Sequence, residues 1–210
     1  MTITYHLDDA TLMSFAAGSL PDALAAVAAA HIAMCPHCRR ELGMLERIGG
    51  ALVSALTPAT LDRPQPAMPE TTGLPSPAPI VAAAGEIPAP LVRLIGGNLD
   101  EVRWRWIGPG LWHHPLHVRG EGSLQLIKAS PGASVPEHAH GGCEITLVLR
   151  GALADSTGRY TPGDVADVDD DIEHTPVADP EAGCICVIAN ESPTRFRGLL
   201  ARLMQPWHGL

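Results

Sequence analysis

Nine of the chain's twenty prolines fall between Pro58 and Pro90, and no other feature limits the fold as strongly. Proline lacks a backbone N–H and turns the residue before it away from the α region, so neither a helix nor a central strand can run through such density. No sustained period of 2 or 3.6 appears there either, which predicts a semi-rigid, extended linker over 58–90. The 210 residues therefore divide into a part at 1–57 and a part at 91–210, each with its own character.

The first part reads as helices. Asp8 or Asp9 suits the cap of a helix running to about Ala17, with Leu7, Leu12, Phe15 and Ala16 as its apolar stripe and Gly18 as its stop. Pro21 fits the first turn of a second helix, and the alanine density of residues 22–34 favours helix and close approach of neighbours. Pro36 interrupts it, leaving His31 at the end of one helix and Cys35 and Cys38 at the start of the next. From Arg39, the positions Leu42, Leu45, Ile48, Leu52 and Leu56 keep a helical spacing, with a weak point at Gly49 and Gly50. The prediction is a small all-α bundle over 1–57.

Several function classes are disfavoured at this stage. The formal charge of −9 offers no cationic footprint for phosphate, which argues against direct nucleic-acid binding. The apolar run Leu20 to Met34 is broken by Asp22 and His31 and is too short to cross a bilayer, and the N-terminus lacks a signal peptide's pattern, so the expected location is cytoplasmic. In a reducing compartment an odd set of five cysteines points to metal or redox chemistry rather than a disulfide framework.

His31-x3-Cys35-x2-Cys38 is dense enough to converge on one ion, and a mixed imidazole and thiolate set suits tetrahedral Zn²⁺. His6 is the preferred fourth ligand because it precedes the first helix and would fasten it to the junction; His37 is the competitor. Such a zinc would serve as the structural staple of a bundle too small for a secure core.

Beyond Leu91 short apolar runs alternate with glycine and proline, at Val102–Ile107, Leu111–Trp112, Leu116–Val118, Leu124–Lys128, Ile145–Leu149, Asp164–Val168 and Cys184–Ile188, which predicts an all-β sandwich or barrel. Within it, His138 and His140 project from one face of a strand, Glu144 follows at the next bend, and His174 lies thirty residues on. Three imidazoles and a carboxylate would hold Zn²⁺, Fe²⁺, Mn²⁺ or Ni²⁺ with positions left for water or ligand. Cys184 and Cys186 alternate onto one strand face, and with Cys143 they read either as buried structural thiols or as an oxidisable set near the metal. His113, His114 and His117 read as loop residues, and Trp104, Trp106 and Trp112 as core or domain-contact residues.

The arrangement Gly132-x5-His138-x-His140-x3-Glu144-x6-Gly151 matches the first cupin motif at every specified position. The frame of the second motif lies on Gly163, Asp169, Asp171 and His174, with aspartates where that motif has proline and glycine, and Ala178 where it has asparagine. His31-x3-Cys35-x2-Cys38 behind an upstream histidine resembles zinc-binding anti-sigma domains. Both motifs in this order make the whole chain similar to ChrR-type anti-sigma factors, a zinc helical domain followed by a cupin barrel (double-stranded β-helix).

That resemblance implies an α+β chain in two domains that is not an enzyme. Its residues 1–57 would sequester an extracytoplasmic-function sigma factor, and its cupin, holding zinc or another divalent transition metal, would sense an oxidative condition such as singlet oxygen. The alternative is a cupin metalloenzyme, resembling an Fe²⁺-dependent dioxygenase, with the helical part as a regulatory attachment. The residues carry no indication of oligomeric state.

Overall fold

The computed structural model describes residues 2–59, 86–134, 138–139, 142–168, 175–191 and 195–196. Among the described residues four α-helices form: α1 (Asp9–Ala17), α2 (Asp22–Met34), α3 (Pro36–Ser54) and α4 (Ala89–Ile95). Asp8 caps α1, its side chain accepting the Thr11 N–H at 2.6 Å, and Gly18 ends it in the left-handed region. Gly49 and Gly50 do not break α3, which continues to Ser54. The last helix starts inside the stretch read as linker: Pro90 occupies its first turn, where the absent N–H costs nothing, and Ile87 and Leu91 are buried.

The β part follows the predicted texture. Its strands are β1 (Arg105–Gly108), β2 (Leu111–Leu116), β3 (Ser123–Ala129), β4 (His138–Ala139), β5 (Glu144–Gly151), β6 (Leu153–Ala154), β7 (Arg159–Tyr160), β8 (Val165–Val168), β9 (Val177–Ala178), β10 (Cys184–Asn190) and β11 (Arg195–Phe196). All pairs are antiparallel, in sheets ordered β1-β2-β3-β10-β5-β8, β7-β6-β9 and β11-β4. β2 corrects one expectation. His113 and His114 lie on a strand, not in a loop, and His113 is buried beside Gln125. Pro115 breaks the sequence pattern but not the strand, because β1 pairs only as far as His113 and asks no N–H of residue 115.

The large sheet is buried on both faces, and period-2 alternation sorts them. Leu124 and Leu126, Ile145 and Leu147, Val165, Val187 and Ala189 join one core with Leu24, Val27 and Ala28 of α2. Ile127 and Ala129, Val148, Ala166, Cys184 and Cys186 face the other way, toward Leu153, Tyr160 and Ala178. The helices thus pack directly on the sheet, with α2 lying across β3, β5 and β10. The loop before β3 also serves the helix: the Glu121 carbonyl accepts the Ala23 N–H at 3.2 Å, one of the amide groups that the start of a helix leaves open.

Gly151 closes β5 at φ +74°, and a Cβ there would lie 2.0 Å from the Gly183 carbonyl oxygen. Gly151→Ala combines a left-handed backbone with a collision against backbone that cannot rotate away. It should destabilise the chain by roughly 3 kcal/mol or more, read as a lower midpoint in urea unfolding. An unchanged midpoint would show that the β5–β10 end shifts freely.

Candidate metal centres

Cys35 is at once the end of α2 and the cap of α3. Its N–H donates to the His31 carbonyl at 2.7 Å, and its sulfur accepts the Cys38 N–H at 3.5 Å. A Cys-x2-Cys pair at N-cap and third position therefore puts both sulfurs at the first turn, where helix N–H groups favour negative charge. His31, one turn before the end of α2, reaches the same point: its Nε2 lies 3.2 Å from the Cys38 sulfur. His6, from the extended segment before α1, places Nδ1 3.3 Å from the Cys35 sulfur.

The ligand atoms of His6, His31, Cys35 and Cys38 all lie within 4.8 Å of one another. A tetrahedral first-row ion holds such atoms roughly 3.3–3.8 Å apart, so these four need only a small contraction to close on one. His37 is not one of them. Its ring packs 4.4 Å from that of His6, on the exposed side. His31 and Cys38 are fully buried. Burial pushes His31 down to about 4, and burial together with the Cys35 sulfur pushes Cys38 up to about 12. A neutral imidazole is ready to bind metal, whereas the Cys38 thiol must give up its proton to the incoming ion.

The β part supplies the surroundings of this cluster, which the sequence did not signal. The Gly163 carbonyl lies 2.8 Å from His31 Nδ1. A carbonyl can only accept, so Nδ1 carries the proton and Nε2 offers its lone pair to the cluster. Asp164 is buried, and its Oδ1 accepts the N–H groups of Thr4 at 2.6 Å and Tyr5 at 3.0 Å. Its Oδ2 accepts from the Thr161 N–H and hydroxyl at 2.8 and 2.7 Å. Burial works against its charge, but these N–H and O–H donors outweigh it and hold the carboxyl below the usual carboxylate range.

Of the second predicted set, Glu144 is the one whose side chain is described. It heads β5, buried, and accepts the Thr146 hydroxyl at 3.2 Å. His138 opens β4 opposite Phe196, while His140 and His174 lie outside the described residues. Cys184 and Cys186 share the inner sheet face, as expected. The neighbouring Cys184 sulfur and burial push Cys186 well up. Asn190 pairs in register with Glu144, and its buried Oδ1 has no hydrogen-bond partner among the described residues. A carboxylate beside an orphaned amide oxygen is a donor set that suits a cation. Cys143 sits half-buried, its thiol 3.5 Å from Asp167 Oδ1. Trp104 packs against the core and Trp106 is exposed, which corrects the expectation for the latter.

Comparison with known proteins matches both parts. The ChrR Cupin-like domain family covers residues 93–193. The anti-sigma-E factor ChrR of Cereibacter sphaeroides is 39% identical over 210 residues, 99% of each chain. A chain in the crystal structure of Rhodobacter sphaeroides SigE in complex with the anti-sigma ChrR is 38% identical, with a TM-score of 0.75, 90% of this chain covered and 99% of that one. Likeness of this degree runs through the His/Cys helices and the β part alike, and it makes the protein a member of the ChrR anti-sigma factor family.

Proposed function

We propose that this chain sequesters an extracytoplasmic-function sigma factor through its N-terminal helices and releases it when the β domain registers an oxidative signal such as singlet oxygen. The role is regulatory rather than catalytic. The observation that carries it is the His6, His31, Cys35 and Cys38 cluster at the α2–α3 junction, in a chain alike from end to end to an anti-sigma factor solved with its sigma. Zinc is the ion that best suits two thiolates and two imidazoles in a closed tetrahedron, and here it is structural, fixing α1, α2 and α3 to one another.

The division of labour follows the proline pattern: helices at 1–57, connecting stretch at 58–90, sensor at 91–210. In the sensor, His138, His140, Glu144 and His174 hold zinc or another divalent transition metal, an assignment supported by the cupin motif and by Glu144 lying beside Asn190 inside the sheet. The place of action is the cytoplasm; no described helix is long and apolar enough to cross a membrane, and the acidic balance of −9 fits a basic protein partner rather than DNA.

A reconstituted assay tests both halves of the proposal. The purified chain should form a complex with the sigma factor and inhibit transcription from its promoter, with singlet oxygen relieving the inhibition. Glu144→Gln should inhibit as well as the wild type but lose most of the relief. Inhibition relieved normally in Glu144→Gln contradicts the sensor assignment, and failure of the wild type to bind sigma contradicts the anti-sigma assignment.

A further inference from the structure

The four N-terminal ligands come from two different supports. Cys35 and Cys38 belong to the α2–α3 junction, and their places are set by helix geometry. The histidines are held from the β domain. His31 donates through Nδ1 to the Gly163 carbonyl. His6 lies in a segment laid along the outer edge of β8: Thr4 and Tyr5 donate to Asp164, the Tyr5 carbonyl accepts the Val165 N–H at 3.4 Å, and Asp8 donates to Asp167 Oδ2 at 3.1 Å. Every one of those anchors lies between Gly163 and Asp167.

The anchoring turn is itself rigid. Gly163 donates to the Val148 carbonyl at 2.9 Å, Val148 donates to the Asp164 carbonyl at 3.2 Å, and Asp164 donates to the Thr161 carbonyl at 2.8 Å. Gly163 has φ +92°, a backbone that strains any other residue, and a Cβ on it would lie 2.9 Å from Ile3 Cδ1 and 3.3 Å from Met34 Cε, so a side chain there would also push those two aside. The same β5–β8 ladder carries Glu144 opposite Val168, four residues past Asp164.

We propose that the Thr161–Asp164 turn of the β domain is an outer shell of the N-terminal metal centre, with Gly163 fixing the tautomer of His31 and Asp164 fixing the position of His6. The inference rests on zinc binding at that centre. Partners of this kind orient a metal's ligands and typically govern its affinity by about 10- to 100-fold. Movement of the turn relative to α2 and α3 would draw the imidazoles away from the thiols. The β domain thereby reaches the zinc through hydrogen bonds rather than through the proline-rich stretch, and Asp164 acts as a positioning residue.

The test uses the full-length zinc-loaded protein and measures zinc transfer to a chromogenic chelator, together with the visible spectrum of the Co²⁺-substituted form. Asp164→Asn turns a donor toward donors on one side of the carboxylate; Gly163→Ala displaces the carbonyl on His31. Each should speed zinc release at least about 10-fold and shift the cobalt bands, because ligand geometry changes. Thr161→Ala, which removes one bond to Asp164 and spares the backbone, should give a smaller change in the same direction and serves if the stronger variants do not fold. Ile127→Ala, in the other core of the sheet, is the control for lost stability and should leave both readouts unchanged. Release within about twofold of wild type in folded Asp164→Asn or Thr161→Ala, with an unchanged cobalt spectrum, overturns the proposal. Equal acceleration by Ile127→Ala does so as well, since general loosening would then explain it. A wild-type chain that takes up neither zinc nor cobalt removes the metal centre itself and the proposal with it.

Discussion

Cys38→Ala in the full-length chain should abolish zinc retention at the helical centre and weaken sigma binding by more than about 1,000-fold. The sulfur is fully buried, 3.2 Å from His31 Nε2, at the third position of α3. Structural zinc in small domains supplies about 10–16 kcal/mol of apparent binding free energy that is also folding free energy, so losing one of four ligands removes far more than a hydrogen bond. Without the ion, Cys38 is a thiol with its pKa pushed up to about 12 by burial and by Cys35, and the His6 segment keeps its ring contact with His37 of α3 but loses the metal that ties it to both sulfurs. The measurement is metal content after gel filtration together with the sigma dissociation constant from fluorescence anisotropy. Cys143→Ala, far from this cluster in sequence and half-exposed, is the matched control and should keep both. Tight sigma binding by zinc-free Cys38→Ala would show that the helices hold their shape without metal.

What the sequence disclosed and what it hid divide along the range of the interactions. The His31, Cys35 and Cys38 cluster was legible because its layout is local: one turn of α2, a cap and a first turn of α3 bring all three residues together within eight positions. His6 was legible as a fourth member of the cluster only by its place before α1, and the structure brings it to Cys35 and leaves His37 outside. The longer strands were readable as apolar runs between glycine and proline, although Pro115 split β2 into two runs and the two-residue β6, β7, β9 and β11 matched none of them.

The packing of α2 on the sheet was not readable. Its alanines suit a thin helical hairpin as well as a close approach to strands, and they are apolar nearly all round, so no polar stripe marks a free face. The proline density argued for two tethered bodies, and nothing in it announces that Ile87 and Leu91 dock back beside α2. Gly163 and Asp164 were equally silent, since a backbone carbonyl leaves no trace in a sequence and a buried aspartate looks like any turn aspartate. The second proposed set, His138, His140, Glu144 and His174, rests on its motif.

The face of α3 that packs against none of the described residues carries the second large prediction. Met44, Ile48 and Leu52 follow one another at four-residue intervals, a straight stripe along the helix, with Leu56 just beyond its end and Val53 beside it. Ile48 is 58% exposed, Leu52 66% and Leu56 69%, so the stripe is apolar surface held in water rather than core. The helix is anchored over its first half, by Cys35 and Cys38, by Arg39, which donates to the Ile32 and Ala33 carbonyls at 2.8 and 2.7 Å, and by Leu42 and Leu45, which pack against the core. Such a stripe laid in a sigma groove would gain about 1.5–3 kcal/mol for each large side chain fully buried. Ile48→Asp with Leu52→Asp loses that gain twice and places two carboxylates in the groove, so sigma affinity should fall by more than about 100-fold. Both positions are exposed in the free chain, and exposed substitutions typically shift stability by only about 0.5 kcal/mol, so zinc content and unfolding midpoint should stay at wild-type values. That separates this variant from Cys38→Ala, which loses zinc and sigma together: the stripe variant keeps the metal and loses only the partner. Anisotropy titration of labelled sigma with zinc-loaded double variant decides it, and an affinity within about threefold of wild type would move the sigma interface off α3.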